Sequence, residues 1–98
     1  MIIEQALLQV KPGQSEYFSK AMIEARQLIA LQPGFLSIEV HPSIDVPDQY
    51  LLLVSWANVE SHRDGFRHSP EYKKWSVLLH EFYDPMPTIS YFGPSILS

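Results

Sequence analysis

The spacing of hydrophobic residues along this chain changes between two periods, one typical of strands and one typical of helices. Residues 35–43 alternate between apolar and polar side chains, which predicts a strand with one covered face. The apolar side chains predicted on that face are Leu36, Ile38 and Val40. Residues 2–10 and 50–56 carry apolar side chains toward both faces, and the continuous apolar run of residues 50–56 favours a central strand.

Two regions have the three- and four-residue spacing of helices. The first is predicted over residues 15–31. The second covers residues 59–81, with Asn58 as the cap of its first part. The pair Ser69-Pro70 divides this second region, because serine caps a new helix and proline suits its first position. The segment YDPMP then ends the helix, and residues 88–95 are predicted to form a last strand.

The predicted elements follow the order β-α-β-β-α-β, which is typical of the α+β ferredoxin-like plait, here with a broken second helix. Such a plait covers one face of a four-stranded antiparallel sheet with helices and leaves the other face open. The open face still carries apolar side chains, since the first and third strands are apolar on both sides. An apolar sheet face must be buried, so we expect a second copy of the chain to cover it in a homodimer.

Length and composition limit the classes of protein that this chain can belong to. Its 98 residues, 46% hydrophobic and 18% charged, fit one folded domain over residues 1–98. The absence of cysteine excludes disulfides and predicts a cytoplasmic location. The opening MIIEQALLQV does not resemble a signal peptide, because Glu4 interrupts it, and no apolar run approaches the ~20 residues of a membrane span. The net charge of −4 argues against a nucleic-acid partner.

The four histidines do not form a metal-binding pattern. No two of them lie three or four residues apart, and no H-E-x-x-H motif is present, so no metal site is predicted. No nucleotide-binding glycine motif is present either. We expect His41 at a sheet edge, His68 in an exposed loop, and His80 turned partly toward solvent or a second copy.

His62 is the histidine that faces inward, because it shares a helical stripe with Val59 and Phe66. It is either a hydrogen-bonded core residue or a base at a cleft. The aromatic residues of the next helix leave a similar choice. Their spacing of three, four and three fits a core stripe, and it also fits a wall that stacks on a flat substrate. The residues of this stripe are Tyr72, Trp75, Leu79 and Phe82.

One long motif, W-x5-H-x2-G-F-R-x-S-x2-Y-x2-W-x2-L-L-H-x-F-Y-D-P-x-P, extends from Trp56 to Pro87. With the order of elements, it resembles the antibiotic biosynthesis monooxygenase family, whose members are dimeric α+β barrels. The resemblance implies two sheets packed face to face in a dimer, and a ligand cleft in each subunit between the sheet and its helices.

The resemblance also implies several kinds of chemistry, since some members of the family oxygenate polycyclic phenols without metal or flavin and others degrade haem. The haem-degrading members carry Asn, Trp and His at positions that correspond here to about Ala6, Gly65 and Trp75, so haem degradation is not expected. Closely similar members often have a histidine in the last strand, where this chain has Tyr91.

The resulting hypothesis is a monooxygenase that needs no cofactor and acts on a small aromatic or quinol-like compound, with His62 as the base. The side chains expected to bind the substrate are Phe66, Tyr72, Trp75, Phe82, Tyr91, Arg63 and Arg67. An isomerase or lyase of a small keto compound is the alternative, with Arg63 or Arg67 holding an anionic group. A barrel that binds small molecules without chemistry also stays open. The cations Arg63, Arg67, Lys73 and Lys74 form either a basic patch or an ordinary solvated helix surface.

Overall fold

The computed structural model describes residues 1–97, which form a four-stranded antiparallel sheet with helices on one face. The regular elements are β1 (Ile2–Gln9), α1 (Ser15–Ile29), β2 (Phe35–Pro42), β3 (Gln49–Trp56), α2 (Pro70–Leu79) and β4 (Ser90–Phe92). The strand order β2-β3-β1-β4 places β3 and β1 at the centre, as the apolar run in β3 predicted. The order of elements confirms the α+β ferredoxin-like plait.

The second helical region is broken, as the sequence predicted, and its first part is wound irregularly. A π-helical turn, Ser61–Gly65, is followed by a 3-10 turn, Phe66–His68, before α2 begins. Asn58 caps this part, since its side-chain oxygen accepts a hydrogen bond from the backbone N–H of Ser61 at 2.9 Å. Ser69 caps α2 in the same way, with Tyr72 as donor at 3.2 Å. After α2, a 3-10 turn, His80–Phe82, ends the region.

Two predicted features of the strands differ in the structure. The last strand is only three residues long, because Gly93-Pro94 follows directly and proline has no N–H for the ladder. In β2, the register shifts between Phe35 and Ser37. As a result, Phe35 is the residue paired with the buried Trp56. Leu36 is exposed, whereas Ile38 and Val40 are partly buried against the core.

The hydrophobic core lies between the sheet and the helices. From α1, the stripe of Phe18, Met22, Ala25 and Ile29 is buried. It meets side chains from one face of the two central strands, namely Ala6, Leu8, Leu52, Val54 and Trp56. Apolar burial of this kind is the main favourable term in folding. We call this side of the sheet the covered face.

The opposite side of the sheet, which we call the open face, has no helix against it. Alternate residues of β1 reach it, including Ile3 and Leu7, and Phe92 of β4 is paired with Ile3 there. Leu7 is 50% exposed and Phe92 is 55% exposed. Large apolar side chains therefore line a solvent-facing surface in the single chain.

Candidate functional site

A cavity of about 330 Å³ lies between the covered face of the sheet and the second helical region. Strands β1 and β3 form its floor, and the broken helix and α2 form its walls. The polar side chains that line it are Glu4, His62, Arg67, Tyr72, His80 and Tyr83. The apolar lining includes Leu8, Ile29, Val54, Phe66 and Trp75. A mostly apolar cavity with a few convergent polar groups is typical of a small-molecule site.

His62 projects from the π-helical turn into the space above β1, and it is only 4% exposed. Its Nδ1 lies 2.6 Å from the hydroxyl of Tyr91, and its Nε2 lies 3.4 Å from Oε2 of Glu4. The imidazole also packs beside the indole of Trp56, with ring centres 5.7 Å apart. His62 therefore faces inward, as its position on the helical stripe predicted.

Glu4 is a buried carboxyl at the site that was not among the residues predicted from the sequence. It is 4% exposed, and its Oε1 accepts a hydrogen bond from Trp56 Nε1 at 2.9 Å. The strand alternation contained the signal, since Glu4 lies on the same side of β1 as Ala6 and Leu8. A carboxylate among residues that must be buried is expensive unless it has partners, so it indicates a functional or structural site.

Burial changes the protonation of this pair in opposite directions. Burial raises the pKa of Glu4 from 4.5 to about 7, although the Trp56 hydrogen bond and the charge of Arg67 act the other way. Burial also lowers the pKa of His62 from 6.5 to about 4, and Arg67 adds to that change. Both side chains are thus driven toward their neutral forms. An uncharged imidazole beside a carboxyl that titrates near neutrality is suited to proton transfer.

Aromatic rings form the wall opposite the sheet. Phe66 is central to it, meeting Tyr72 edge-on at 5.2 Å and Trp75 edge-on at 5.4 Å between ring centres. The guanidinium of Arg67 lies 5.9 Å from the ring centre of Tyr72. This wall can accept a flat ring and presents one cation to it.

The structure brings five of the eight predicted site residues to the cavity lining, namely His62, Phe66, Arg67, Tyr72 and Trp75. Tyr91 lies on the covered face of β4 and meets the site through its hydroxyl at His62. Phe82 packs near Phe18, with ring centres 6.1 Å apart, and is not among the lining residues.

The basic side chains do not gather at the cavity. Arg63 is 56% exposed and lies 3.4 Å from its neighbour Asp64, so it points away. Lys73 and Lys74 line a separate shallow groove between α1 and α2. Arg67 is therefore the one member of this set that lines the cavity.

His80 and Tyr83 also line the cavity, although the position of His80 in the sequence predicted that it turns partly toward solvent or a second copy. The ring of His80 lies between those of Tyr72 and Tyr83, at 6.0 and 5.8 Å. Within residues 1–97, no group of three or more acidic, histidine or cysteine side chains is arranged to hold a metal ion. The helices in this part of the chain are all too short or too polar to cross a membrane.

The fold and the site define an α+β protein with a buried carboxyl–imidazole pair at a small aromatic cavity. The sequence profile of the antibiotic biosynthesis monooxygenase family matches residues 1–77, and the chain belongs to this family.

Several known proteins are similar to the chain over nearly its whole length. YczJ of Bacillus subtilis, described as uncharacterized, is 38% identical over 92 residues, which are 94% of this chain and 97% of YczJ. A Bordetella bronchiseptica protein assigned to the antibiotic biosynthesis monooxygenases superposes with a TM-score of 0.93 at 29% identity, covering 97% of both chains. SnoaB of Streptomyces nogalater, a cofactor-independent oxygenase, has a TM-score of 0.83 at 15% identity, covering 99% of this chain and 97% of its own. At that identity, SnoaB supports the fold alone.

Proposed function

We propose that the protein is a cofactor-independent monooxygenase that acts on a small aromatic or quinol-like compound in the cavity beside His62. The observation that carries this proposal is the buried Glu4–His62 pair at a cavity with an aromatic wall. Membership of the antibiotic biosynthesis monooxygenase family supports the same reaction class.

The reaction needs only a base, an electron-rich substrate and dioxygen. The base removes a proton from an activated C–H or O–H, and the resulting anion passes one electron to O₂. The substrate radical and superoxide then combine to a hydroperoxide, which loses water to leave a carbonyl. For an activated methylene, R₂CH₂ and O₂ give R₂C=O and H₂O, so no outside reductant is required. The Glu4–His62 pair supplies the base in this scheme, and His62 faces the cavity.

The other cavity residues have roles in binding. Phe66, Tyr72 and Trp75 hold the ring, and Arg67 stabilises the negative charge that deprotonation leaves on the substrate. The cavity volume of about 330 Å³ favours a compact substrate. We propose no binding role for Arg63 or Phe82 within one subunit, because neither lines the cavity.

The position of Arg67 also favours a second candidate, an isomerase or lyase of a small anionic keto compound. The same base would remove a proton next to the carbonyl, and Arg67 would hold the anionic group. This reaction consumes no oxygen, which distinguishes it from the first candidate.

We propose in addition that the open face is covered by a second copy of the chain. Its exposed apolar residues are the support for this proposal, since Leu7 and Phe92 are each about half exposed on the sheet surface. A stable interface would bury well over ~1,000 Å² in total.

Oxygen uptake by the purified protein, measured with a panel of quinols, anthrones and phenols, tests the oxygenase. We expect uptake with at least one compound, unchanged by a chelator or by removal of flavin. His62→Ala should reduce turnover by roughly 10²–10⁴-fold, because a positioned base contributes about that factor. His68→Ala is the matched control, since His68 is exposed and is not among the lining residues. Full activity in His62→Ala, or uptake abolished by chelation, would contradict the proposal.

A further inference from the structure

The carboxyl of Glu4 is buried at the site, and the proposed reaction does not yet give it a role of its own. Both of its oxygens are oriented by neighbours, since Trp56 Nε1 donates to Oε1 at 2.9 Å and His62 Nε2 faces Oε2 at 3.4 Å. Glu4 also lines the cavity itself. A carboxyl fixed in this way is held in one orientation next to the space that a substrate would occupy.

The contacts of His62 limit how it can act as a base. Its Nδ1 is paired with the Tyr91 hydroxyl at 2.6 Å, and its Nε2 faces Oε2 of Glu4, so both ring nitrogens already have partners. The Nε2 atom itself lies 3.4 Å from Oε2 of Glu4. In a site this buried, a neutral pair is favoured over a charged pair, because separated charges lose their hydration.

We infer that Glu4 is the terminal proton acceptor of the site: the ionised carboxyl, which lines the cavity and faces His62 Nε2, takes the proton that the substrate loses. This inference rests on the proposed function, and it assigns His62 to orienting the Glu4 carboxyl through Nε2. Tyr91 is a positioning residue, since it holds the imidazole through Nδ1.

The direction of both pKa changes supports this assignment. Burial raises the pKa of Glu4 and lowers that of His62, so the carboxyl holds the proton more tightly than the imidazole does. The charge of Arg67 lowers both pKa values. The other titratable groups at the site are His80, Tyr72 and Tyr83 on the α2 side, Tyr91 on β4, and Arg63 and Asp64 beside Tyr91.

The protonation state of Glu4 has a consequence for the His62 imidazole that can be observed without any substrate. When Glu4 is protonated, its O–H donates to Nε2, so the ring proton is on Nδ1 and is donated to the Tyr91 oxygen. When Glu4 is ionised, Nε2–H donates to the carboxylate, and Nδ1 accepts from the Tyr91 hydroxyl. His62 should therefore exchange one neutral tautomer for the other as Glu4 titrates.

Nuclear magnetic resonance of ¹⁵N-histidine-labelled protein from pH 5 to 9 tests this. The His62 signals are assigned by their loss in His62→Gln. We expect a change from the Nδ1–H to the Nε2–H tautomer with a midpoint near pH 7, where Glu4 loses its proton, with no doubly protonated form in that range. Glu4→Gln should hold one tautomer throughout. A His62 ring that becomes doubly protonated between pH 8 and 6, or a tautomer change that persists in Glu4→Gln, would overturn the inference. The wild-type titration decides the question even if Glu4→Gln does not fold.

Activity gives a second, separable test with any compound from the oxygen-uptake panel that the wild-type protein turns over. The wild-type kcat/KM should rise with pH through about 7 as Glu4 ionises. In Glu4→Gln, kcat/KM should no longer rise with pH and should be roughly 10²–10⁴-fold lower than in the wild-type protein. A rise retained in Glu4→Gln would contradict the role of Glu4 while leaving the oxygenase intact. If no compound is turned over, the proposed function fails, and the titration of His62 still decides where the proton lies.

Discussion

The two faces of the sheet are built from the same strands but have opposite characters. On the covered face, β1 contributes Glu4 between the partly buried Ile2 and the buried Ala6, and Glu4 is 4% exposed. On the open face, the same strand contributes Ile3 and Leu7, and Leu7 is 50% exposed. In a domain that folds and acts alone, the opposite arrangement would be expected, with the leucine buried and the carboxyl exposed to solvent.

The reversal teaches that the two faces serve different purposes. A buried carboxyl has a cost in stability, which is reasonable where chemistry requires it. An exposed apolar sheet surface also has a cost, which another protein surface can remove by covering it. The covered face is therefore the proposed place for a reaction, and the open face the proposed place for a second copy.

Charge on the open face should have the largest effect. Leu7→Arg places a cation in the proposed interface. Because a twofold dimer contains the substitution in both copies, two cations would be buried. Each unpaired buried charge costs several kcal/mol, so we expect dimer affinity to fall by at least about 10³-fold. Analytical ultracentrifugation at micromolar concentration should show twice the chain mass for the wild-type protein and the chain mass for Leu7→Arg.

Ile23→Arg is the matched control for that experiment. Ile23 is 71% exposed on α1, on the helix side of the sheet, so the substitution adds the same charge away from the open face. It should stay dimeric. A wild-type protein that is monomeric at this concentration would remove the dimer proposal.

On the covered face, the dependence of stability on pH should reveal the buried pair. The folded chain keeps the Glu4 proton until about pH 7, whereas an ordinary carboxyl releases it near 4.5. Raising the pH across this window therefore destabilises the folded chain, by about 3 kcal/mol. For His62 the sign is opposite, because an ordinary imidazole binds a proton below 6.5 and the buried one only below about 4. Lowering the pH across that window destabilises the folded chain by a similar amount, about 3 kcal/mol.

Urea unfolding from pH 4 to 8 separates the two contributions. Relative to the wild-type protein, the free energy of unfolding of Glu4→Gln should rise by about 3 kcal/mol from pH 4 to pH 8. That of His62→Gln should rise by about 3 kcal/mol, again relative to the wild-type protein, from pH 8 to pH 4. In the wild-type protein, the two effects largely cancel between pH 4.5 and 6.5. If the free energy of unfolding of both variants depends on pH as that of the wild-type protein does, burial does not shift the pKa values of Glu4 and His62.

Substitution of Arg67 should have a smaller effect, on substrate binding. A hydrogen bond to a charged group contributes about 1.5–3 kcal/mol, so Arg67→Ala should raise KM by roughly 10–100-fold for a substrate that binds as an anion. Arg63→Ala is the control, because Arg63 points away from the cavity and lies beside Asp64. Equal KM values for the two variants would show that Arg67 does not contact the substrate.

The fold was predictable from the sequence because periodicity and caps are local signals. The helical stripe of α1 and the caps formed by Asn58 and Ser69 all involve residues within four positions of each other. The bulge that exposes Leu36 was not predictable in this way, since it depends on the register against β3.

The site was predictable only in part. The inward position of His62 follows from helical spacing, but its partner Glu4 lies in the first strand. Trp56 is likewise 52 positions away from Glu4 in the sequence. No local pattern pairs residues so far apart. Similarly, spacing alone could not decide which of Arg63 and Arg67 faces the cavity, because the intervening π-helical turn changes the rotation between them.

The smallest expected effect concerns the helix cap that orients the aromatic wall of the covered face. Ser69 accepts a hydrogen bond from the N–H of Tyr72, and Tyr72 lines the cavity. Ser69→Ala leaves that N–H without its partner, so the free energy of unfolding should fall by about 1 kcal/mol. Ser19→Ala is the control, because Ser19 is exposed within α1 and alanine is the better helix former there. Pro70→Ala should also be mild, since proline at the first turn of a helix mainly restricts the unfolded chain. Among the three variants, Ser69→Ala should therefore have the lowest melting temperature. If its melting temperature equals that of the wild-type protein, this cap does not stabilise the wall.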